Sequence, residues 1–467
     1  MKKNSTKRSL LASVLALVMC VSMLVGTTFA WFTDTASTGV NKIQAGTLDV
    51  QLLDEQGNSL ERQTLSWKKA AGHENEEVLW EPGCTYELQP IVIKNAGNLA
   101  LKYKIAISGI QGDAELNNAI EWTINDTALA ADHALAAGAS DTLTIKGHMR
   151  EDAGNEYRGK SIDGIGITVV ATQDTVEHDS NGNTYDERAE YPVLASSVSD
   201  FRDALSQGNS TIILASDVTV EDGIQMSVEN DTSINFNGNT LRGSIISSGN
   251  IGDPPNNLVL SDPNNSGEYS IDGEIVRHEG GGYTQIAAIT VWKPTVTIES
   301  GKYTHNNAVI LCQLQTQDPN AVGVVVNGGT FDGQGAASVI ANIFGNVIIN
   351  NGEFNAHYDG DSSGECVYVD SGNSHVPSIT TINGGTFNAD KRIFYVDVNT
   401  RYTQKIVVNG GTFNVAEGGS LIKVSSGNAR DYLTITGGTF NVDPSAYVDT
   451  ANYNVTHSGS TWTVTAK

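Results

Sequence analysis

The sequence predicts an all-β protein in two parts, an antiparallel sandwich followed by a solenoid of stacked strands, and three observations carry that prediction. First, one short phrase occurs six times: Ile298-Glu-Ser-Gly-Lys-Tyr303, Val326-Asn-Gly-Gly-Thr-Phe331, Ile349-Asn-Asn-Gly-Glu-Phe354, Ile382-Asn-Gly-Gly-Thr-Phe387, Val408-Asn-Gly-Gly-Thr-Phe413 and Ile435-Thr-Gly-Gly-Thr-Phe440. Successive copies lie 28, 23, 33, 26 and 27 residues apart, the period of a unit that buries its apolar face only by stacking on its neighbours. Second, 48 Gly against 10 Pro favours a turn-rich β protein over a disordered chain. Third, the residues before 174 break into short alternating segments separated by Gly-rich or acidic turns.

A chain of 467 residues is long enough for two or three domains. Its start reads as an address. Lys2, Lys3, Lys7 and Arg8 precede a largely apolar run from Leu10 to Gly26 and then Thr28-Phe29-Ala30, the pattern of a secretory signal peptide over residues 1–30. An uncleaved membrane anchor is the rival reading of that run. No later stretch is apolar enough to span a bilayer, so no membrane association is expected after cleavage. Loss of four basic and no acidic residues takes the net charge from −25 to −29. Such a chain repels nucleic acid and anionic lipid and suits an extracellular, cation-rich setting. Three cysteines remain: Cys84, Cys312 and Cys366. Aligning the repeats puts Cys312 and Cys366 two coils apart, about 9.6 Å and beyond disulfide reach, so both read as buried small hydrophobes.

Residues 31–174 form the first domain. Strand candidates are the end of the Trp31–Val50 segment, Val78 to Trp80, Thr85 to Lys94, Leu99 to Ser108, Ala119 to Ile124, Asp141 to Lys146 and Ile162 to Thr172. They suit an antiparallel sandwich of seven or eight strands. Several phrases here, in order, carry a family resemblance: Trp31-Phe-Thr-Asp34, Ala45-Gly-Thr-Leu-Asp49, Trp80-Glu-Pro-Gly83, Val92-Ile-Lys-Asn-Ala-Gly-Asn-Leu-Ala-Leu-Lys-Tyr103 and Ala171-Thr-Gln-Asp174. Over roughly residues 1–190 the chain resembles the TasA and camelysin family of Gram-positive bacteria. The resemblance implies a jelly-roll-like β-sandwich, secretion, and a subunit of extracellular fibres in the biofilm matrix. It also implies that residues 31–43 act as a donor strand completing the next subunit of a homopolymer, by main-chain hydrogen bonds with alternate side chains setting register. Camelysin has been described as a metallopeptidase. The nearest string, His73-Glu-Asn-Glu-Glu77, lacks the second histidine of a helical HExxH and reads as a solvated acidic loop.

Residues 175–190 are polar and acidic without apolar periodicity, a linker. Within it Asp179-Ser-Asn-Gly-Asn183 alternates oxygen ligands, but its glycine comes too early for a calcium loop and a plain turn is the better reading.

Residues 191–467 form the second domain. Ala195 to Gly208 is its one helix, with Ser199 a candidate N-cap and Phe201, Ala204 and Leu205 on one face. A helix there covers the open end of a solenoid. Seven residues before each aromatic stand Val296, Val324, Val347, Thr380, Ile406 and Leu433; five before stand Ile298, Val326, Ile349, Ile382, Val408 and Ile435. Both columns point to one face. Ile234, Phe236 and Leu241 fit the same spacing, and Leu258 with Leu260 part of it, so at least eight coils are expected. A second strand per coil runs through Val309 to Leu311, Val339 to Ala341, Cys366 to Val369, Ile393 to Val396 and Leu421 to Val424. This pattern resembles a right-handed parallel β-helix of the pectate-lyase-like type, a likeness of fold that leaves activity open.

One polar residue follows each aromatic: Asp332, Asn355, Asn388, Asn414 and Asn441. A stacked amide ladder explains that column without a substrate. The longest irregular insertion, His357 to Asp370, is where function is expected, because solenoid insertions project from one face. Two chemistries compete there. Asp359, Asp361, Ser363, Gly364 and Asp370 match an EF-hand loop at positions 1, 3, 5, 6 and 12, with Asp in place of the closing Glu and no flanking helices. Calcium is thus the one cofactor candidate. Alternatively Asp332, His357, Asp361, Asp390 and Arg392 converge as acids and bases for cleaving an acidic polysaccharide. Only twelve Lys and Arg residues in this half are available to hold an anionic sugar. Tyr453 to Thr465 reads as a capping hairpin turning at Ser458-Gly459, and Trp292, Tyr358, Tyr395 and Tyr402 are candidate glycan contacts. The expected function is a secreted, non-enzymatic surface or matrix protein. The alternative is a carbohydrate-active β-helix, enzyme or binding module.

Overall fold

A computed structural model describes the chain from residue 48 onward, apart from residues 175–190 and short stretches that include 249–256, 278–282, 359–363 and 371–375. Two compact units divide at Tyr191/Pro192. Among the described residues the regular elements of both are nearly all strands.

The first unit is an antiparallel sandwich. Its longest strands, Leu101–Gly112 and Ile162–Gln173, pair with each other, and His133–Leu135 joins the first of them. A second sheet joins Thr85–Glu87, Ile145–Met149, Ile120–Ile124 and Thr127–Ala128; a third joins Val50–Leu53, Ile91–Asn95 and Ser140–Leu143. The segments expected as single strands over 85–94 and 141–146 are each split. Thr85–Glu87 and Ile91–Asn95 lie in different sheets, as do Ser140–Leu143 and Ile145–Met149. Pro90 lacks the N–H that would carry a strand through the break, and two neighbouring strands changing sheet together make a sandwich corner. Inside lie Leu88, Ile93, Leu101, Tyr103, Leu143 and Ile145. Val78 to Trp80 is no strand: Pro82 and Gly83 turn the chain, Tyr86 Oη donates to the Leu79 carbonyl at 2.6 Å, and Trp80 packs edge-on against Trp67 at 5.3 Å. The Asn-Ala-Gly-Asn phrase has a structural reason. Asn95 is fully buried, donates to the carbonyls of Leu99 and Leu135, and accepts from Gly97 N, so one amide ties the turn shut.

The second unit is a parallel β-helix. Its helix runs Val198–Ser206 and is capped by Ser197, not Ser199: Ser197 Oγ accepts from Asp200 N while the Asp200 carboxylate accepts from Ser196 N. This reciprocal box satisfies two end donors, and the helix buries Phe201 and Ala204 against the first coil. Each later coil has three strands where the sequence suggests two. The first face carries the Val and Ile columns, the second the aromatic residues, and the third includes Ala308–Gln313, Glu365–Val369, Arg392–Val396 and Ser420–Val424. The repeated phrase is thus a corner: its start ends a first-face strand and its aromatic begins a second-face strand. Nine parallel strands, Val218–Thr219 to Gly438–Phe440, form the second face among the described residues.

The glycines fix that corner. In every copy the glycine two before the aromatic has positive φ, 98° to 127°. The glycine preceding it, where present, lies against the previous coil: a Cβ on Gly384 would stand 2.5 Å from the Asn350 carbonyl oxygen. The register differs from the expected one in an early coil. Ile234 pairs within the column of Ile298, Thr232 takes the place before it, and Leu241 still reaches the aromatic column. The turn there is longer, with Asn237 and Gly238 at positive φ and Phe236 turned inward. At the far end Thr461–Ala466 pairs antiparallel with Gly438–Phe440 and with Tyr453–Ser458, placing Trp462 opposite Phe440.

Candidate functional site

The insertion after Phe354 leaves the second face at Ala356 and returns to the third face at Glu365. Asp359, Asp361 and Ser363 lie outside the described residues. Of the expected residues, the fold brings His357 and Asp390 together. Ala356 and Ala389 are register partners, so the residues after them are neighbours on adjacent coils. His357 Nδ1 stands 3.6 Å from Asp390 Oδ2, the same carboxylate accepts from Tyr358 N at 3.1 Å, and both side chains are half exposed. Lys391 Nζ lies 3.8 Å from the Tyr358 ring centre.

Asp332 is placed otherwise. It is the acceptor end of the amide ladder, taking Asn355 Nδ2 at 2.7 Å and Tyr269 Oη at 3.3 Å. The ladder continues through Asn388 and Asn414 at 2.8 and 2.9 Å. Asn441 leaves it and bonds both backbone groups of Val415. Asp370 receives Tyr368 Oη at 3.5 Å, and its own N–H donates to the Asn342 carbonyl.

Arg392 is buried rather than exposed. Its Nε is 4.0 Å from Oε2 of Glu365, with 8% and 1% of the two side chains exposed. Ser338 Oγ donates to the other carboxylate oxygen at 3.0 Å, and Glu365 Oε2 has no hydrogen-bond partner. Burial pushes the Glu365 carboxyl above its ordinary value; the Ser338 hydrogen bond and the Arg392 charge pull it back only in part. Arg392 is among the expected residues but its partner Glu365 is not, and register is the signal for it: Glu365 and Arg392 face each other across adjacent third-face strands. Outward from them Tyr368 and Tyr395 are also partners, ring centres 5.6 Å apart, with the Arg392 guanidinium 5.3 Å from the Tyr395 ring.

The two buried thiols offer little reactivity. Cys312 and Cys366 are buried and unpaired, and burial raises both thiols, Cys312 to about 12. His73 sits in a succession of turns, exposed, with Nδ1 2.8 Å from Glu76 Oε1. No group of three His, Cys, Asp or Glu among the described residues is placed to hold a metal ion.

Fold and site together define an all-β chain with a sandwich in front of a β-helix whose polar clusters occupy the corners between faces. Residues 5–57 match the family model described as camelysin metallo-endopeptidase, so the start of the chain is similar to that family. No curated protein and no solved structure matches the chain. Residues 48–57 of the matched span are described and hold the strand Val50–Leu53. The described residues do not fit the metal that the family description implies, because His73 has no helix and no second histidine beside it.

Proposed function

We propose that this chain is a secreted cell-surface or biofilm-matrix structural protein of a Gram-positive bacterium, with the β-helix as a rigid spacer behind a sandwich that joins subunits. The observation that carries the reading is how the repeat is spent. The β-branched columns, the aromatic stack, the glycine corners and the amide ladders each bond one coil to the next, so the repeated residues serve the scaffold. Similarity of residues 5–57 to the camelysin family supports a secreted start. In this reading residues 31–43 complete a neighbouring sandwich by strand addition, an extracellular polysaccharide is a further partner, and calcium at Asp359, Asp361, Ser363 and Asp370 would stiffen the insertion.

Negative-stain imaging of the processed chain, with and without residues 31–43, tests it. Filaments that vanish in the deletion are expected; their absence in both samples overturns polymerisation. A carbohydrate-active enzyme is the rival, resting on the exposed His357–Asp390 pair. It requires that the protein depolymerise a uronic-acid polymer and that Asp390→Asn abolish this.

A further inference from the structure

The first unit contains a groove of about 780 Å³ whose described lining residues run from Trp67 to Ile162 in the sequence, apart from the candidate donor strand 31–43 and from the β-helix corners. Its floor is Trp67, Met149 and Ile162. One wall is the irregular segment Glu77 to Pro82, which includes Trp80; the other is the turn from Ala153 to Ser161, which includes Tyr157 and Arg158. The volume is that of a small-ligand site.

The walls carry charges of both signs. Lys69 is committed to the carbonyls of Glu74 and Glu76, and Lys160 pairs with Glu115. Arg158 on one wall, and Glu77 and Glu81 on the other, are exposed and make no side-chain hydrogen bond or ion pair with the described residues. Beneath them the aromatic cluster is dense: Trp67 lies edge-on to Trp80 at 5.3 Å and stacks on Trp122 at 5.9 Å. The indole nitrogens of Trp67 and Trp80 are buried with no acceptor, so the cluster offers the groove ring faces rather than indole donors.

The geometry points to a binding site for a neutral oligosaccharide. A charged ligand would meet its own sign on one wall. Sugar hydroxyls both donate and accept, so they satisfy carboxylates on one side and a guanidinium on the other. The C–H face of a pyranose ring covers apolar aromatic surface such as Trp80 and Tyr157. This site is independent of fibre formation: it would hold sugar whether or not the chain polymerises.

Affinity electrophoresis of the full processed chain in gels containing laminarin, dextran or hydroxyethyl cellulose tests the inference, with alginate as an anionic comparison. Retardation by at least one neutral polymer is expected. Its dissociation constant should rise about tenfold in Trp80→Ala and at least about threefold in the Glu77→Gln, Glu81→Gln double variant and in Arg158→Ala. Trp80 supports its neighbours, so the two charge variants, altered only at exposed side chains, keep the test valid if Trp80→Ala misfolds. Migration unaffected by every neutral polymer overturns the site, as does retardation that the charge variants leave unchanged. Retardation by alginate alone overturns the neutral ligand.

Discussion

A carboxylate with one unsatisfied oxygen and a guanidinium 4.0 Å away is an unusual thing to bury in a β-helix. For Glu365 the loss of hydration outweighs the attraction of Arg392, so its folded pKa lies above the ordinary 4.5. The folded state therefore holds this proton more tightly than the unfolded chain. The associated stability is fully present below pH 4.5 and is lost as the pH rises through the folded value. Chemical denaturation of Glu365→Gln across pH 4 to 8 should lack that fall, and an unchanged slope would refute the assignment. Removing the partner works oppositely. Arg392→Met leaves an uncompensated buried carboxylate and should cost about 3–5 kcal/mol at pH 8. The loss should shrink as the pH falls and protonation of Glu365 removes the charge. A denaturation midpoint equal to wild type at pH 8 would show that the pair does not hold the corner.

Between the coils, two polar ladders and one aromatic column do the joining. Tyr303, Phe331, Phe354, Phe387, Phe413 and Phe440 stack with ring centres 4.6 to 5.2 Å apart and planes within 13° of parallel. Phe387 is fully buried between two such neighbours, and Phe387→Ala should lower stability by about 3–5 kcal/mol in equilibrium unfolding. The second ladder runs through Asn327, Asn350, Asn383 and Asn409, each Nδ2 donating to the previous oxygen at 2.8 to 2.9 Å and Asn327 ending on Glu299. Both ladders point the same way, and each finishes on a carboxylate that needs only to accept. Position within a ladder therefore decides what an acid does. Asn388→Asp places an oxygen against the Asn355 oxygen and should cost about 1–3 kcal/mol at neutral pH. Asp332→Asn keeps the acceptor and should cost less; equal losses would mean that ladder polarity has no energetic weight. The first ladder and the aromatic column were legible in the sequence because each coil repeats the same local phrase. The second ladder sits in the same phrase, at the residue directly after its β-branched start, where Glu299 and Thr436 interrupt the Asn pattern. Third-face pairing was only half legible, since coils of 23 to 33 residues set the Glu365–Arg392 register through loop length rather than through any motif. In the sandwich the break at Pro90 could be read locally. The matching break at Thr144 could not, because there the sheet change is imposed by the neighbouring strand.

At the scale of the whole molecule, a solenoid must end, and its last coil exposes main-chain donors and acceptors that would pair with any strand offered. The N-terminal end has the Val198–Ser206 helix, with Phe201 buried against the core. The C-terminal end uses the hairpin Tyr453–Ser458 and Thr461–Ala466. By running antiparallel to Gly438–Phe440, the hairpin ends the parallel series on the second face, and Val464 and Trp462 pack on the end of the aromatic stack. It is not part of the repeat, so its removal leaves the Phe and Asn columns intact while baring the edge of Gly438–Phe440 and one side of Phe440. In the chain lacking residues 31–43, ending the sequence at Val448 should therefore keep the far-ultraviolet β signal yet convert the protein from its original size to concentration-dependent larger species, seen by size-exclusion chromatography with light scattering. Adding Lys at Thr439, whose side chain faces outward in the column of Thr412, should restore the smaller species by placing a charge on the bared edge. If the shortened chain instead keeps the mass of the full one at every concentration, the hairpin is dispensable packing and the last coil protects its own edge.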